Sequence, residues 1–331
     1  MESMSRKRAL TGIRASGNLH IGNYLSAIKE GLALQNEYEC LFFIADMHSL
    51  TTNKDPKLIR EQGLDVAAGW IACGLDTDQH LLYRQSDLPM VAEFAWYLSC
   101  ATGMGFLQKA HSYKDAVAKD IEVNHGVFAY PVLMAADIIM YDADIVPVGK
   151  DQKQHVEMAR DMAGSINALY GEGTLKLPQV AVRENVMTIP GLDGRKMSKS
   201  YGNEIALFST EKELKQQVMS ITTDSTPLEE PKELDGSLLG DLFKLFGSEQ
   251  QYGELQKKLK AGGYGWGHAK QDLLGVIVDE LGAARKRYVE IRQDQSELDK
   301  ILDKGKERAL AISAPVLNRL RNALGFRSLS Y

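Results

Sequence analysis

The stretch ALTGIRASGNLHIGN, residues 9–23, joins a short apolar run to a glycine-bearing turn and then to a helical pattern. The apolar run, Ala9 to Ile13, is typical of a buried strand, and Gly17 and Gly22 follow it. At such a junction, free backbone N–H groups and the positive end of the helix dipole face any bound anion. The stretch therefore predicts a strand, a turn and a helix that could hold a phosphate group.

Strand-like and helical patterns continue to alternate up to about residue 100. The helical pattern Tyr24 to Leu34 precedes the apolar run Cys40 to Asp46, and the helical pattern Pro56 to Ile71 precedes the run Leu81 to Arg84. A further helix is predicted from Pro89 to Cys100, because proline suits the first turn of a helix. This alternation predicts a parallel, doubly wound sheet, in which ligands bind beyond the carboxyl ends of the strands.

The pattern divides the chain into four segments. Residues 1–102 contain the first part of the sheet domain, and residues 103–183 are predicted as a mainly helical insertion. Residues 184–210 return to the sheet through a strand-like run, Val186 to Ile189, and residues 211–331 are predicted as a separate helical domain because their helical patterns are rich in Glu and Lys. The predicted fold class is therefore α/β, a Rossmann-like doubly wound parallel sheet with a helical insertion and a C-terminal helical domain.

Composition narrows the class of protein only modestly. The 331 residues are 44% hydrophobic, and the net charge of −5 argues against a uniformly basic coat for nucleic acid, although a local basic surface remains compatible with it. No signal peptide is visible, and the longest apolar windows are about half the length that spans a bilayer. Three widely spaced cysteines, Cys40, Cys73 and Cys100, suit free thiols in a reducing compartment. We therefore expect a cytoplasmic protein with no membrane partner and no protein-bound metal.

A second motif, Lys196-Met197-Ser198-Lys199-Ser200, follows the turn-rich stretch Pro190 to Gly194. Two lysines three residues apart on a polar loop can hold a polyphosphate as it departs. Lysines on exposed loops are usually only solvated, however, and any strand-to-helix junction can use glycines for turning. Each motif alone is therefore a weak signal.

Together and in this order, the two motifs resemble those of the class I aminoacyl-tRNA synthetases, whose HIGH-like and KMSKS motifs bracket a Rossmann-type fold. The resemblance implies catalytic roles for His20, Asn23, Lys196 and Lys199. Relatives often have Gln-Pro where this chain has Arg14-Ala15, so the contact implied for Arg14 is with phosphate. The implied ATP-binding residues are Arg14, Gly22, Asn23, Lys114, Gly149, Asp151, Lys196, Met197, Ser198 and Lys199.

One acid, Asp137, stands within the apolar helical run Tyr130 to Ile138. Such a carboxylate can simply pair with a buried backbone group or an arginine. Alternatively, it can serve as a binding group, because an ionised Asp only accepts hydrogen bonds and an indole N–H only donates them. From the residue types alone, both interpretations remain open.

The segments Tyr130 to Ile138, Asp144 to Gly149 and Asp151 to His155 are closely similar to bacterial-type tryptophanyl-tRNA synthetases, and the similarity extends over most of residues 8–205. The resemblance implies that Asp137 holds the indole nitrogen, that Met134, Val146 and Val148 line the ring, and that the remaining polar residues lie near the amino and carboxylate end. The implied tryptophan-binding residues are Leu10, His48, Tyr130, Met134, Asp137, Val146, Val148 and Gln152.

The same resemblance implies the reaction and the partners. L-Tryptophan and ATP would give tryptophanyl-adenylate and pyrophosphate, with Mg²⁺ bound mainly through the ATP phosphates, and the acyl group would pass to the 3′ end of tRNA(Trp). A homodimer is expected, with its interface in residues 103–183, and residues 211–331 would contact the anticodon arm. A tyrosyl-tRNA synthetase, a silent tRNA-binding or tryptophan-sensing paralogue and a small-molecule nucleotidyltransferase remain as alternatives.

Overall fold

The computed structural model describes residues 6–15, 19–118, 123–149, 152–182 and 189–331. Within these residues, five parallel strands form one sheet in the order β3-β2-β1-β4-β5. The strands are β1 (Arg8–Ile13), β2 (Glu39–Ile44), β3 (Leu81–Arg84), β4 (Ile145–Val148) and β5 (Gln179–Val182). This arrangement confirms the predicted α/β class with a parallel sheet. The strand order reverses between β1 and β4, which is the switch point where such sheets bind ligands.

The helices cover most of the remaining described chain. In chain order they are α1 (Ile21–Asn23), α2 (Lys29–Ala33), α3 (Asp46–Ser49), α4 (Pro56–Ala72), α5 (Met90–Cys100), α6 (Met104–Leu107), α7 (His111–Ala118), α8 (His125–Ile139), α9 (Lys153–Tyr170), α10 (Glu211–Met219), α11 (Leu238–Lys244), α12 (Glu249–Lys260), α13 (Trp266–Gln293) and α14 (Gln295–Ala323). Between α1 and α2, residues Tyr24–Ile28 form a π-helical turn. None of the described helices is both long and apolar enough to cross a membrane.

Helix α8 is the element that carries Asp137 into the core. It begins after Asn124, whose side-chain oxygen accepts a hydrogen bond from the Val127 N–H at 3.0 Å. This cap satisfies one of the free N–H groups of the first turn. The C-terminal half of α8 is largely buried, and Ala136, Asp137 and Ile138 are each 4% exposed or less. An acid is therefore fixed on a rigid, desolvated element.

The segment 103–183 contributes strands as well as helices, which its mainly helical prediction missed. Both β4 and β5 lie in it, and β4 is the direct neighbour of β1. In the described chain, β1 and β4 pair only at Ala9 and Ile145. Pro147 has no N–H to extend the ladder, so the two strands open into a crevice. The predicted run Val186 to Ile189 falls mostly outside the described residues.

The chain folds into two compact units. The sheet unit comprises Met1–Ser16, Glu30–Val186 and Asp294–Tyr331, and the loop unit comprises Gly17–Lys29 and Met187–Gln293. The division differs from the predicted boundary at residue 210, because α14 packs on β3 of the sheet unit. Gly305 makes this packing close, since an added Cβ would lie 1.8 Å from the Leu82 carbonyl oxygen. Only glycine permits the helix to lie there.

The loop unit has its own helical core. Helices α10 to α13 bury Leu214, Phe243 and Leu273, among others. The predicted Glu/Lys-rich helices begin with regular caps: Thr210 and Glu213 form a reciprocal capping box at the start of α10. Helical patterning in this part of the sequence was therefore a sound guide to local structure.

Candidate functional site

A cavity of about 310 Å³ opens in the sheet unit between the carboxyl-terminal halves of β1 and β4. Its volume lies within the range of small-ligand pockets. The residues implied to bind tryptophan all line it, namely Leu10, His48, Tyr130, Met134, Asp137, Val146, Val148 and Gln152. Thr11, Phe43 and Ile138 are further lining residues. The structure thus gathers residues from β1, α3, α8 and β4 into one largely apolar pocket.

Asp137 is the buried acid of this cavity, and only 4% of its surface is exposed. Gln85 Nε2 lies 2.9 Å from Oδ1 and 2.8 Å from Oδ2, and His48 Nε2 lies 2.9 Å from Oδ2. Burial raises the pKa of Asp137, and the hydrogen bond from His48 opposes that rise. The acid is therefore held by an amide and an imidazole, and not by the arginine or backbone partner considered from sequence.

Gln85 is one of the candidate site residues that sequence reasoning missed. It is 2% exposed and begins the 3₁₀ turn Gln85–Asp87 directly after β3. Polar residues at the carboxyl ends of parallel strands meet at one edge of the sheet. The position of Gln85 immediately after a predicted strand was therefore the signal that could have found it.

Aromatic and polar side chains continue the cavity wall next to Asp137. The Tyr130 ring packs edge-on against His48 at 4.9 Å and against His155 at 5.4 Å between centroids. Gln152 Oε1 lies 3.1 Å from Nδ1 of His155, which is itself buried. His48 therefore contacts the acid as well as Tyr130, a contact that the sequence interpretation did not include.

Arg14 lies at the rim of the cavity. Its Nη2 donates to the hydroxyl oxygens of Thr51 and Thr52, each at 2.7 Å, and to the carbonyl of His48 at 3.2 Å. Its Nε is buried and has no partner in the described chain. Burial lowers the pKa of this guanidinium, which nevertheless remains charged at neutral pH. At least one donor of this guanidinium is thus without a partner among the described residues.

In the loop unit, the His20 turn is held against residues 205–207. The Ile21 N–H donates to the Ile205 carbonyl at 2.9 Å, and the Leu207 N–H donates to the Leu19 carbonyl at 2.9 Å. Asn23 Oδ1 accepts from the His20 N–H at 3.0 Å, so this side chain caps α1. The turn therefore presents the start of a short helix in a fixed orientation.

His20 has an unsatisfied ring nitrogen. Its Nδ1 is buried and has no partner in the described chain. Burial, together with the positive charge of Lys199, lowers the pKa of His20. At neutral pH the ring is therefore uncharged and can donate one hydrogen bond to a ligand.

The lysine loop meets the His20 turn through Met197. Met197 is buried, and a Cβ added to Gly22 would lie 3.6 Å from its sulfur atom and 2.8 Å from His20 Nδ1. Lys196 and Lys199, on either side of Met197, are exposed and form no ion pair within the described residues. The loop unit thus places two free ammonium groups beside the histidine turn.

Asn203, which the sequence interpretation did not select, organises this loop. It is 3% exposed, accepts from the Ser198 N–H at 2.9 Å and donates to Asp193 Oδ1 at 2.6 Å and to the Lys196 carbonyl at 3.2 Å. Gly191 has no room for a side chain, because an added Cβ would lie 2.3 Å from Asn203 Nδ2. The loop backbone is therefore fixed while its lysine side chains remain free.

The other implied ATP-binding residues lie apart from these contacts. Lys114 is exposed on α7 and does not line the cavity. Gly149 follows β4 and its carbonyl accepts from the Gln152 N–H at 3.0 Å, whereas Asp151 lies outside the described residues. Among the residues that the structure describes, no group of three or more His, Cys, Asp or Glu could hold a metal ion.

Comparison with known proteins agrees with this geometry. The family model described as tRNA synthetases class I (W and Y) matches residues 2–281. The chain therefore belongs to the class I tRNA synthetases, as the two motifs had indicated.

Relatives of known specificity narrow the class further. The tryptophan–tRNA ligase of Fusobacterium nucleatum subsp. nucleatum is 44% identical over 319 residues, which cover 96% of this chain and 98% of the relative. The crystal structure of Campylobacter jejuni tryptophanyl-tRNA synthetase complexed with ADP and tryptophan has a TM-score of 0.92 at 44% identity, covering 96% of this chain and 100% of that chain. The Mycoplasma pneumoniae tryptophanyl-tRNA synthetase has a TM-score of 0.79 at 28% identity, covering 98% and 99% of the two chains. The chain is a member of the tryptophan–tRNA ligase family.

Proposed function

We infer that this enzyme activates L-tryptophan with ATP, giving tryptophanyl-adenylate and pyrophosphate, and then transfers the tryptophanyl group to the 3′ end of tRNA(Trp). The observation that carries this conclusion is the buried acceptor Asp137 in an apolar cavity lined by Met134, Val146 and Val148. An indole ring fills apolar space and offers a single N–H donor to the acid. Family membership supplies the second, independent support.

The cavity accounts for the choice of amino acid. A phenylalanine side chain has no donor, so it would leave the Asp137 carboxylate desolvated and unpaired. A site built around such a hydrogen bond rejects analogues that lack it by large factors, which makes a separate editing site unnecessary. Arg14, with one free donor at the cavity rim, is the cation that we assign to the carboxylate or phosphate end of the bound substrates.

The loop unit supplies charge for adenylation. The tryptophan carboxylate attacks the α-phosphorus of ATP, the bond to the β-phosphate breaks, and pyrophosphate leaves; no side-chain nucleophile is needed. Neutral His20 donates to a phosphate oxygen, and Lys196 and Lys199 stabilise the charge that develops on pyrophosphate. Because both lysines lack ion pairs in the described chain, neither must break one to reach the phosphates.

Mg²⁺ would be held mainly by ATP, where it neutralises the charge of the phosphates. On the protein side, the oxygen that fits it is Glu204 Oε2, a buried carboxylate oxygen without a partner in the described residues. One carboxylate is sufficient for an ion whose other ligands are phosphates and waters. Replacing Glu204 with Gln should raise the Mg²⁺ concentration that gives half-maximal activity, and an unchanged Mg²⁺ dependence would remove Glu204 from this role.

Amino-acid-dependent exchange between ATP and labelled pyrophosphate tests the proposed reaction. L-Tryptophan should support exchange, and L-tyrosine and L-phenylalanine should not. Activation of tyrosine would identify a tyrosyl-tRNA synthetase instead. Tight tryptophan binding without exchange in the presence of Mg²⁺ would identify a tryptophan-sensing paralogue.

We propose that the enzyme is a homodimer whose interface includes residues 103–183. Large apolar side chains in and next to this segment are exposed, with 66% of the surface of Trp96, 64% of Met104 and 63% of Leu169 accessible. Exposed apolar side chains of this size are typical of protein interfaces. Sedimentation velocity at micromolar concentration should give a dimer, and a monomer would contradict the proposal.

The proposed tRNA contact is the exposed basic surface of α13. Lys286 and Arg287 are exposed there, whereas Arg285 is half-buried and donates to the Ser209 hydroxyl at 3.2 Å. Exposed cations bind phosphate groups, while Arg285 serves the internal packing of the loop unit. Reversing both exposed charges with Glu should raise KM for tRNA and leave pyrophosphate exchange unchanged; an unchanged KM would exclude this surface.

We place the enzyme in the cytoplasm. Cys40, Cys73 and Cys100 are all free thiols, and burial raises the pKa of Cys40 and of Cys73 to about 12, so both thiols stay protonated. Free thiols are typical of reducing compartments. Cell fractionation that recovered the protein outside the cytoplasm would contradict this assignment.

A further inference from the structure

Gln85 connects the substrate acid to the frame of the sheet unit. Its Nε2 contacts both oxygens of Asp137, at 2.9 and 2.8 Å, and its Oε1 accepts from the Met47 N–H at 3.1 Å. Its side chain bridges the turn after β3, the start of α3 and the C-terminal end of α8. At 2% exposure it has almost no contact with solvent, so these partners fix it.

The partners also determine which way the amide faces. A backbone N–H can only donate, so the Gln85 oxygen must face Met47 and the NH₂ group must face Asp137. Asp46 holds the backbone on either side of Gln85's contacts in place, because its Oδ1 accepts hydrogen bonds from the N–H groups of Met47 and Ser86, each at 3.0 Å. Rotating the amide would place its oxygen against a carboxylate and its NH₂ against an N–H donor.

The acid therefore receives donors on both of its oxygens. Gln85 reaches both, and His48 Nε2, at 2.9 Å from Oδ2, adds a further contact. A proton on either oxygen of Asp137 would point towards a group that already donates. Gln85 adds no charge of its own, unlike a lysine or arginine partner, so the carboxylate keeps its full negative charge for a ligand.

We propose that Gln85 is a specificity-determining positioning residue: it holds Asp137 as an acceptor, so that the cavity selects a side chain with a ring N–H. This inference rests on the proposed function, because it concerns the same substrate. When indole binds, its N–H forms a charge-assisted hydrogen bond with the ionised, desolvated Asp137. When a ring of the same shape without a donor binds, Asp137 lacks that hydrogen bond, which costs free energy. Without Gln85, Asp137 can take up a proton. The free energy gained by binding indole and the free energy lost by binding a ring without a donor then both become smaller.

Pyrophosphate exchange with L-tryptophan and with β-(benzothiophen-3-yl)-L-alanine, in which sulfur replaces the ring N–H, provides the test. The measured quantity is the ratio of kcat/KM for tryptophan to kcat/KM for the analogue. We expect a ratio of about 100 or more for the unaltered enzyme. The apolar variant Gln85→Met, of similar length, should lower the ratio about tenfold or more, while KM for ATP stays the same.

The ratio separates a specificity role from a merely structural one. If Gln85 only supports packing, Gln85→Met lowers kcat/KM for both amino acids by the same factor and the ratio is unchanged, which would overturn the proposal. Gln62→Met is the matched control, because Gln62 is also buried but lies on α4 outside the cavity, and its ratio should equal that of the unaltered enzyme.

Two further outcomes are decisive. Should Gln85→Met not fold, Gln85→Glu gives the same measurement, since it keeps an oxygen for Met47 and replaces the donor that faces Asp137; its ratio should also fall. Equal use of both amino acids by the unaltered enzyme would overturn the inference without any variant. Absence of tryptophan-dependent exchange in the unaltered enzyme would overturn the proposed reaction itself, a result distinct from an unchanged ratio.

Discussion

The cavity around Asp137, which we propose binds tryptophan, and the lysine loop differ in how their charged groups are paired. In the cavity, Asp137 is buried and surrounded by donors from Gln85 and His48. In the loop, Lys196 and Lys199 are exposed, and the described chain gives them no ion pair. A buried charge must be paired in advance because its desolvation is costly, whereas an exposed lysine remains hydrated at little cost until a phosphate arrives. In the proposed reaction, amino-acid selection thus depends on a preformed network of hydrogen bonds, and stabilisation of the leaving pyrophosphate depends on lysines without ion pairs.

The largest effect that would sharpen this contrast is expected from Lys199→Ala. The positive charge of Lys199 is proposed to stabilise negative charge that develops mainly as pyrophosphate leaves. Without it, kcat for adenylate formation should fall about 100- to 1,000-fold. The affinity for tryptophan, measured by calorimetry without ATP, should not change. Lys212→Ala is the control, since Lys212 is another exposed lysine of the loop unit. Equal losses in rate and in tryptophan affinity would contradict the assignment of tryptophan binding to the cavity and of charge stabilisation to the lysine loop.

Asp137→Asn should give the converse result. The amide has nearly the same shape but presents a weaker acceptor and a new donor, so tryptophan affinity should fall about 100-fold, or about 2.7 kcal/mol. KM for ATP should stay within about twofold. Calorimetry measures the first quantity and exchange kinetics the second, with Asp161→Asn, a change at an exposed acid on α9, as control. An unchanged tryptophan affinity would remove Asp137 from the pocket.

A smaller effect should appear on acidification. Burial raises the pKa of Asp137, whereas burial and Lys199 lower the pKa of His20. As the pH falls below neutrality, Asp137 takes up a proton earlier than an ordinary aspartate, while His20 stays neutral to a lower pH than an ordinary histidine. Tryptophan affinity should therefore begin to decline at a higher pH than an ordinary aspartate would give, by at most about tenfold per pH unit.

Calorimetric titration with tryptophan between pH 7 and pH 5 checks this decline. Protonation of Asp137 weakens tryptophan binding but favours folding. Because its pKa is raised in the folded protein, ionised Asp137 lowers the free energy of unfolding, and this loss of stability disappears as the pH falls through that pKa. The Asp137→Asn variant should show a flat tryptophan affinity over the same range. A slope that persisted in this variant would assign the titration to another group.

Much of the sheet was predictable from sequence, but not its order. The runs that became β1, β2 and β3 stand between helical patterns and are apolar, so local pattern identified them. β4 and β5 have four residues each, and β4 contains Pro147, so no periodicity distinguished them from the helices around them. Strand length sets this limit, because four residues give hardly two periods of alternation.

The site shows a similar limit. The tryptophan-binding residues that the resemblance implied all line one cavity, whereas Lys114 does not, and the interpretation missed Gln85 and Asn203, whose side chains act through partners. Gln85 lies 52 residues before Asp137, and their contact exists only because β3 and α8 meet at the same end of the sheet. Local pattern does not contain such pairings; the three-dimensional order of the elements creates them.

The close packing of Gly305 against Leu82 has a consequence for the order of folding during synthesis. Helix α14 follows all five strands of the sheet in chain order, yet it covers β3 of that sheet. The loop unit is complete in sequence by Gln293, before α14 has been made. Chains fold from the N-terminus as they emerge. The nascent sheet therefore keeps β3 uncovered until α14 has been made, and the sheet unit is completed after the loop unit.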